Sequence, residues 1–174
     1  MKQQVEVRDE FQRAPFFENM AVIEYEIADS FEELIRHTYF LFDIKHDYSP
    51  WDDIEHSIVK VLNVWKEEKT AIGMLFRNRN RKAARQPIIH FAAHLLSIVH
   101  WLNETPVKSV KQLEEHIKEL QVKPVNFTER YVYIIEHPDH YHAFIQLVQL
   151  YEEMERLYAK TLLMKKRGCP ESPL

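Results

Sequence analysis

Five cations crowd into nine residues, Arg77, Arg79, Arg81, Lys82 and Arg85, with no acid between them. The chain as a whole carries a formal net charge of −4, so the run stands against an acidic background. On a continuous helix Arg77, Arg81 and Arg85 share one ridge at a spacing of four, a geometry able to touch successive phosphates or an acidic partner. The same spacing suits a solvated face that pairs with the protein's own surplus carboxylates. Nucleic acid is disfavoured by the acidic whole and by the lack of aromatic residues among the arginines.

Ten histidines offer a second chemistry. His90 and His94 are four apart, as zinc-binding helices place them. At roughly 100° per residue the apolar stripe of that segment centres on Ile88 and Leu95, while His90, His94, Ser97 and Trp101 lie together on the opposite side. A metal would need a third ligand from another element, His140, His142 or Asp139. Phe91 also stands where metalloprotease helices carry a glutamate. His90, His94 and Trp101 therefore read as a polar and aromatic surface patch, with no metal or cofactor nominated. The pair His46-Asp47 on a helical background superficially suggests metal phosphohydrolases, but His37 lies too close before it to supply their upstream ligand. Asp139 in Pro138-Asp139-His140-Tyr141-His142 suits a helix start, where the macrodipole favours an acid, and Tyr141 reads as a packing residue. Paired acids such as Asp52-Asp53 are adjacent rather than a turn apart. No Ser, His and Asp set emerges and Cys169 lies in the last residues, so no catalytic residue is nominated.

Composition narrows the classes further. The chain has two glycines, Gly73 and Gly168, where average usage near 7% would give about twelve. Phosphate-cradling loops, dinucleotide fingerprints and nucleophile elbows each need several glycines at fixed spacing and are excluded. One cysteine allows no internal disulfide and no four-cysteine zinc site. The sequence shows no transmembrane-length apolar run and no apolar leader, so the expected setting is the cytoplasm, without membrane.

The elements that must position these residues are helical. Helix-start signatures occur at Ser30 with Glu33, Ser49 with Asp52 and Pro50, Ser109 with Gln112, and Asn126 with Glu129. Apolar residues then recur at helical spacing: Phe31 to Phe42, Trp51 to Trp65, Ile72 to Phe76, and Ile88 to Leu102, with Pro87 a break or kink between the last two. Tyr131 to Ile135 would pass as a strand but follows the Asn126 cap and is read as helix. A long helix closes the chain from near Pro138 to about Lys166. The expectation is an all-α, compact, single-domain bundle of about six to eight helices. Residues 1–15 are expected to be an extended or mobile arm, 16–167 the helical domain and 168–174 a disordered tail.

Several segments together resemble a known family. Phe16-Phe17-Glu18, Trp51-Asp52-Asp53-Ile54-Glu55, Lys123-Pro124-Val125-Asn126 with Glu129-Arg130, and the stretch His137 to Leu147 are similar to the YpoC-like family of low-GC Gram-positive bacteria, over about residues 11–160. The resemblance implies a bacterial cytoplasmic setting and carries no functional residue. The function expected is that of a non-catalytic module binding another protein, suggested by ten Phe, eight Tyr and three Trp in a bundle without a catalytic set. Nucleic-acid or phosphate binding through residues 77–85 is the first alternative, and a His and carboxylate metal-dependent enzyme the second.

Overall fold

The computed structural model describes residues 1–19 and 22–168. Two strands, β1 (Lys2–Glu6) and β2 (Val22–Glu26), pair antiparallel with Lys2 opposite Glu26 and Glu6 opposite Val22. Among the described residues seven α-helices follow. They are α1 (Phe31–His37), α2 (Leu41–Lys45), α3 (Ile54–Arg77), α4 (Arg81–Leu102), α5 (Leu113–Glu119), α6 (Phe127–Glu136) and α7 (Tyr141–Gly168). The all-α expectation holds, including the long closing helix. The small sheet was not anticipated, because Lys2-Gln3-Gln4-Val5-Glu6 is mostly polar and its partner lies some twenty residues on. Gly168, the first residue of the expected tail, ends α7, and the rest of that tail, from Cys169 on, lies outside the described residues.

Helix α4 is the axle. From Ile88 to Leu102 every residue except His90 is buried, because neighbours close it in on all sides. Trp65 of α3 meets Phe91 edge-on at 5.3 Å and stacks on Tyr151 of α7 at 4.4 Å. The Tyr151 hydroxyl donates to the Phe91 carbonyl at 2.6 Å, and the Tyr131 hydroxyl of α6 donates to the Ala92 carbonyl at 2.6 Å. Residues of α1 and α2 cover the remaining side. A helix apolar or answered all round is a buried helix, and this is why a one-sided stripe was the wrong picture of α4.

Local signals were only partly realised. Ser30 and Glu33 form the full capping box at α1. Ser49 and Pro50 open a single 3₁₀ turn instead, and α3 starts at Ile54. The Ser109 hydroxyl donates to the Glu10 carbonyl and so belongs to the N-terminal packing. Asn126 precedes α6 in a left-handed conformation without a side-chain cap. Pro87 lies inside α4, and the carbonyl it cannot reach is that of Ala83, an exposed residue. The break falls earlier. α3 ends in a Schellman motif, Asn80 N–H bonding Leu75 O at 2.8 Å and Arg79 N–H bonding Phe76 O at 2.9 Å. Arg79 occupies the left-handed position (φ 59°) where glycine is usual.

The first fifteen residues are extended over Lys2–Glu6 yet are built into the bundle. Phe11 is fully buried, packing on Phe40 at 5.5 Å, and Arg13 forks onto Glu114 of α5 at 3.0 and 3.2 Å. Removing a buried phenylalanine side chain costs about 3–5 kcal/mol. Phe11→Ala is therefore expected to lower the urea midpoint of the whole molecule by a stability loss of that order. A midpoint equal to the parent's would show that this segment is an appendage.

Candidate functional site

The residues singled out by their chemistry fall into two places. His90, His94 and Trp101 are not a surface patch: His94 and Trp101 are 3% and 2% exposed, and His90 is half-buried. Helix α1 explains the histidines. The last carbonyls of a helix have no partner within it, and the Ile35 carbonyl meets His90 Nε2 at 2.8 Å and His94 Nε2 at 2.6 Å. The spacing of four that could hold zinc instead brings two imidazoles to one orphan carbonyl. Burial pulls both imidazoles down, His94 well below its ordinary value, so both are neutral at neutral pH, and their Nε2 atoms lie 3.1 Å from each other.

One turn further along α4 lies Asp43 of α2, which the sequence did not single out. It has no exposure, and its carboxylate oxygens collect three donors. Trp101 Nε1–H and Val107 N–H bond Oδ1 at 2.9 Å each, and the Ser97 hydroxyl bonds Oδ2 at 2.7 Å. Burial pushes the Asp43 carboxyl up, against the pull of these donors. Its own carbonyl meets His46 Nε2 at 2.5 Å, and the His46 ring packs edge-on against Trp51. Asp47 pairs with Lys45, so His46-Asp47 is a turn fixture. Asp139 binds Arg81, while His137, His140 and His142 gather round the Tyr133 ring. Among the described residues no three His, Cys, Asp or Glu side chains are grouped as a metal would need.

The basic run is exposed, but it is not one ridge. The turn at 78–80 puts Arg77 at the end of α3 and Arg81 and Arg85 at the start of α4. Arg81 is held by Asp139 at 3.3 Å, whereas Arg77, Arg79, Lys82 and Arg85 make no ion pair among the described residues. Arg77 borders the second place of interest, a groove of about 530 Å³ between the C-terminal half of α3 and the first two turns of α7. Its α3 wall is Lys69, Thr70, Gly73, Met74, Phe76 and Arg77; its α7 wall is Tyr141, Phe144, Ile145 and Val148. Phe76 and Phe144 stack at 5.6 Å to make the floor, and Tyr141 leans edge-on over Phe76 at 5.8 Å. Tyr141 packs on one side only, remaining 58% exposed, and Met74 is 43% exposed. The lining holds two cations and no acid. A glycine in the middle of a helical pattern, Gly73, was the signal in the sequence that marked this wall.

Two measurements check the buried cluster. Asp43→Ala strands two buried N–H groups at about 1–3 kcal/mol each, so a loss of about 2–6 kcal/mol is expected, whereas Asp43→Asn keeps an acceptor for both and should remain within about 1 kcal/mol of the parent. Equal losses in the two variants would contradict this. The histidines set the acid response. Burial holds His100 down to about 4. Below about 6.5 the unfolded chain binds protons that the folded chain refuses at His90, His94 and His100, so the stability present above that pH is lost as pH falls. Asp43, with its raised value, works in the opposite sense and offsets part of the loss. His100 alone accounts for about 3 kcal/mol between pH 7 and 4, and His100→Gln should reduce the fall in unfolding free energy over that interval by about this amount. An unchanged slope would contradict the assignment.

Comparison with known proteins agrees with the resemblance seen in the sequence. The family model described as YpoC-like protein matches residues 55–166, the span from the start of α3 to near the end of α7. A protein of Bacillus subtilis (strain 168), named "Uncharacterized protein YpoC", is 31% identical over 117 residues, covering 67% of this chain and 71% of that protein. No solved structure matches. The groove lies within the matched span, while Asp43 and the α1 and α2 segments that cover α4 precede the matched residues. The chain belongs to the YpoC-like family.

Proposed function

We propose that this chain is a non-catalytic, cytoplasmic interaction module whose protein partner seats on the groove between α3 and α7. The observation that carries the reading is the groove itself: an aromatic floor and the exposed Tyr141 and Met74, with two cations and no acid in the lining, on a chain of net charge −4. Aromatic and methionine side chains left half in water are the usual anchors of an interface, and unpaired cations beside them select the partner's charge. No helix among the described residues is long and apolar enough to cross a membrane.

Arg79 adds support. A non-glycine residue in the left-handed region costs of order 1–2 kcal/mol, and no acid among the described residues engages its guanidinium. Arg79→Gly is expected to raise stability by about 1 kcal/mol while weakening partner capture. Affinity capture with the tagged full chain from the cells that produce it should retain a partner that the Met74→Glu, Tyr141→Ala double variant loses at least tenfold, at equal thermal stability. Equal retention by parent and double variant would refute the groove as the binding face.

A second reading, phosphate-backbone binding at the end of the α3 and α4 hairpin, draws on Arg79, Lys82 and Arg85 being exposed and without ion pairs among the described residues. It predicts affinity for single- or double-stranded nucleic acid that falls steeply and log-linearly with salt. Affinity that does not change with salt would exclude it.

A further inference from the structure

We propose that the occupant of this groove is an amphipathic α-helix with an apolar stripe and acidic flanks; the proposal rests on the groove being the partner-binding face. Both walls are helices. On α3 the lining residues run from Lys69 to Arg77, and on α7 from Tyr141 to Val148, so each wall presents about two turns, roughly 10–12 Å at 1.5 Å per residue. Helical walls satisfy their own backbone hydrogen bonds and offer no strand edge. An extended peptide laid between them would leave its N–H and C=O groups unanswered on the groove side, whereas a helix brings its backbone already paired. Residues at i, i+3 or i+4, and i+7 of such a helix reach along the two turns available.

Gly73 fits this occupant. Its backbone has no positive φ that would demand glycine, and glycine inside a helix costs stability relative to alanine. A Cβ there would meet only the Phe144 ring, at 3.4 and 3.5 Å, so its absence lowers the middle of the α3 wall and lets another helix approach closely. The charge of the flanks follows from the rim. Lys69 and Arg77 are eight residues apart on one wall, about 12 Å, with Arg79 beyond them. Carboxylates two turns apart on the docked helix face both, and lysine-bearing helices are repelled.

The test uses the full chain with a photo-crosslinking benzoylphenylalanine at position 74, irradiated in the cells that produce the protein, and sequencing of the crosslinked segment by mass spectrometry. The expected product is one segment of another protein, helix-forming, apolar at i, i+3 or i+4 and i+7, and net negative. Its yield should fall at least tenfold in Lys69→Glu, Arg77→Glu and recover when the matching acids of the partner are changed to lysine. Gly73→Gln, which fills the wall without changing its charge, should also lower the yield. A crosslinked segment that is basic, neutral or extended, a yield indifferent to charge reversal, a second copy of this chain, or a nucleic-acid adduct each overturns the acidic-helix occupant. If the segment comes from a partner that the Met74→Glu, Tyr141→Ala variant still loses, the groove reading stands while this proposal fails. No crosslink at all ends both.

Discussion

A carboxylate without access to water must find its hydrogen bonds inside the protein, and at Asp43 that requirement binds three pieces of chain at once. It ties α2 to the C-terminal end of α4 through Ser97 and Trp101, and it ties both to the segment after α4 through Val107 N–H. The residues flanking α2, Phe40 and His46, are both held at positive φ, a conformation costly for side chains of that size and tolerated where surrounding structure over-determines it. Phe40 in turn is packed by Phe11, Phe16 and Phe17. The N-terminal segment, the short helices and the central helix thus form one body whose polar requirements are mutually met.

What α1 and α2 do for one side of α4, nothing in the described chain does for the groove between α3 and α7. There the aromatic residues are packed from below and open above, and the charged residues of the lining are Lys69 and Arg77, with no acid, on a chain of net charge −4. The asymmetry has functional content because burial elsewhere is so complete. Buried His94, Asp43 and Ser97 have structural partners, and His100 bonds the Leu96 carbonyl through Nδ1 while its buried Nε2 has none among the described residues; the groove is the place where exposed aromatic surface and unpaired charge meet.

Much of the helical architecture was legible in the sequence because it is encoded locally. Apolar spacing of three and four along α3, α4 and α7 is visible without any partner, as is the capping box at Ser30. Long-range pairings were not. A strand such as Lys2–Glu6 is specified by Val22–Glu26 rather than by its own residues. The facing of His90, His94 and Trp101 depends on Ile35 and Asp43, more than fifty residues away, so periodicity within α4 alone assigned them to solvent. Residues 77–85 read as one ridge because no glycine or proline marks the turn there; the chain ends α3 with arginine in a position where glycine is the expected signal. Of the groove, the sequence carries only the trace of Gly73, since Tyr141 and Phe144 are both aromatic and only the course of α3 decides which is covered.

The Asp43 cluster clamps the N-terminal elements to α4, and the open face falls to α3 and α7. Native-state hydrogen exchange at the Trp101 indole N–H and the Val107 amide tests it most directly. Both protons should exchange only through global unfolding, with opening free energies equal to the stability measured by denaturant. Exchange through a local opening well below that value, with the rest of α4 still protected, would contradict the account.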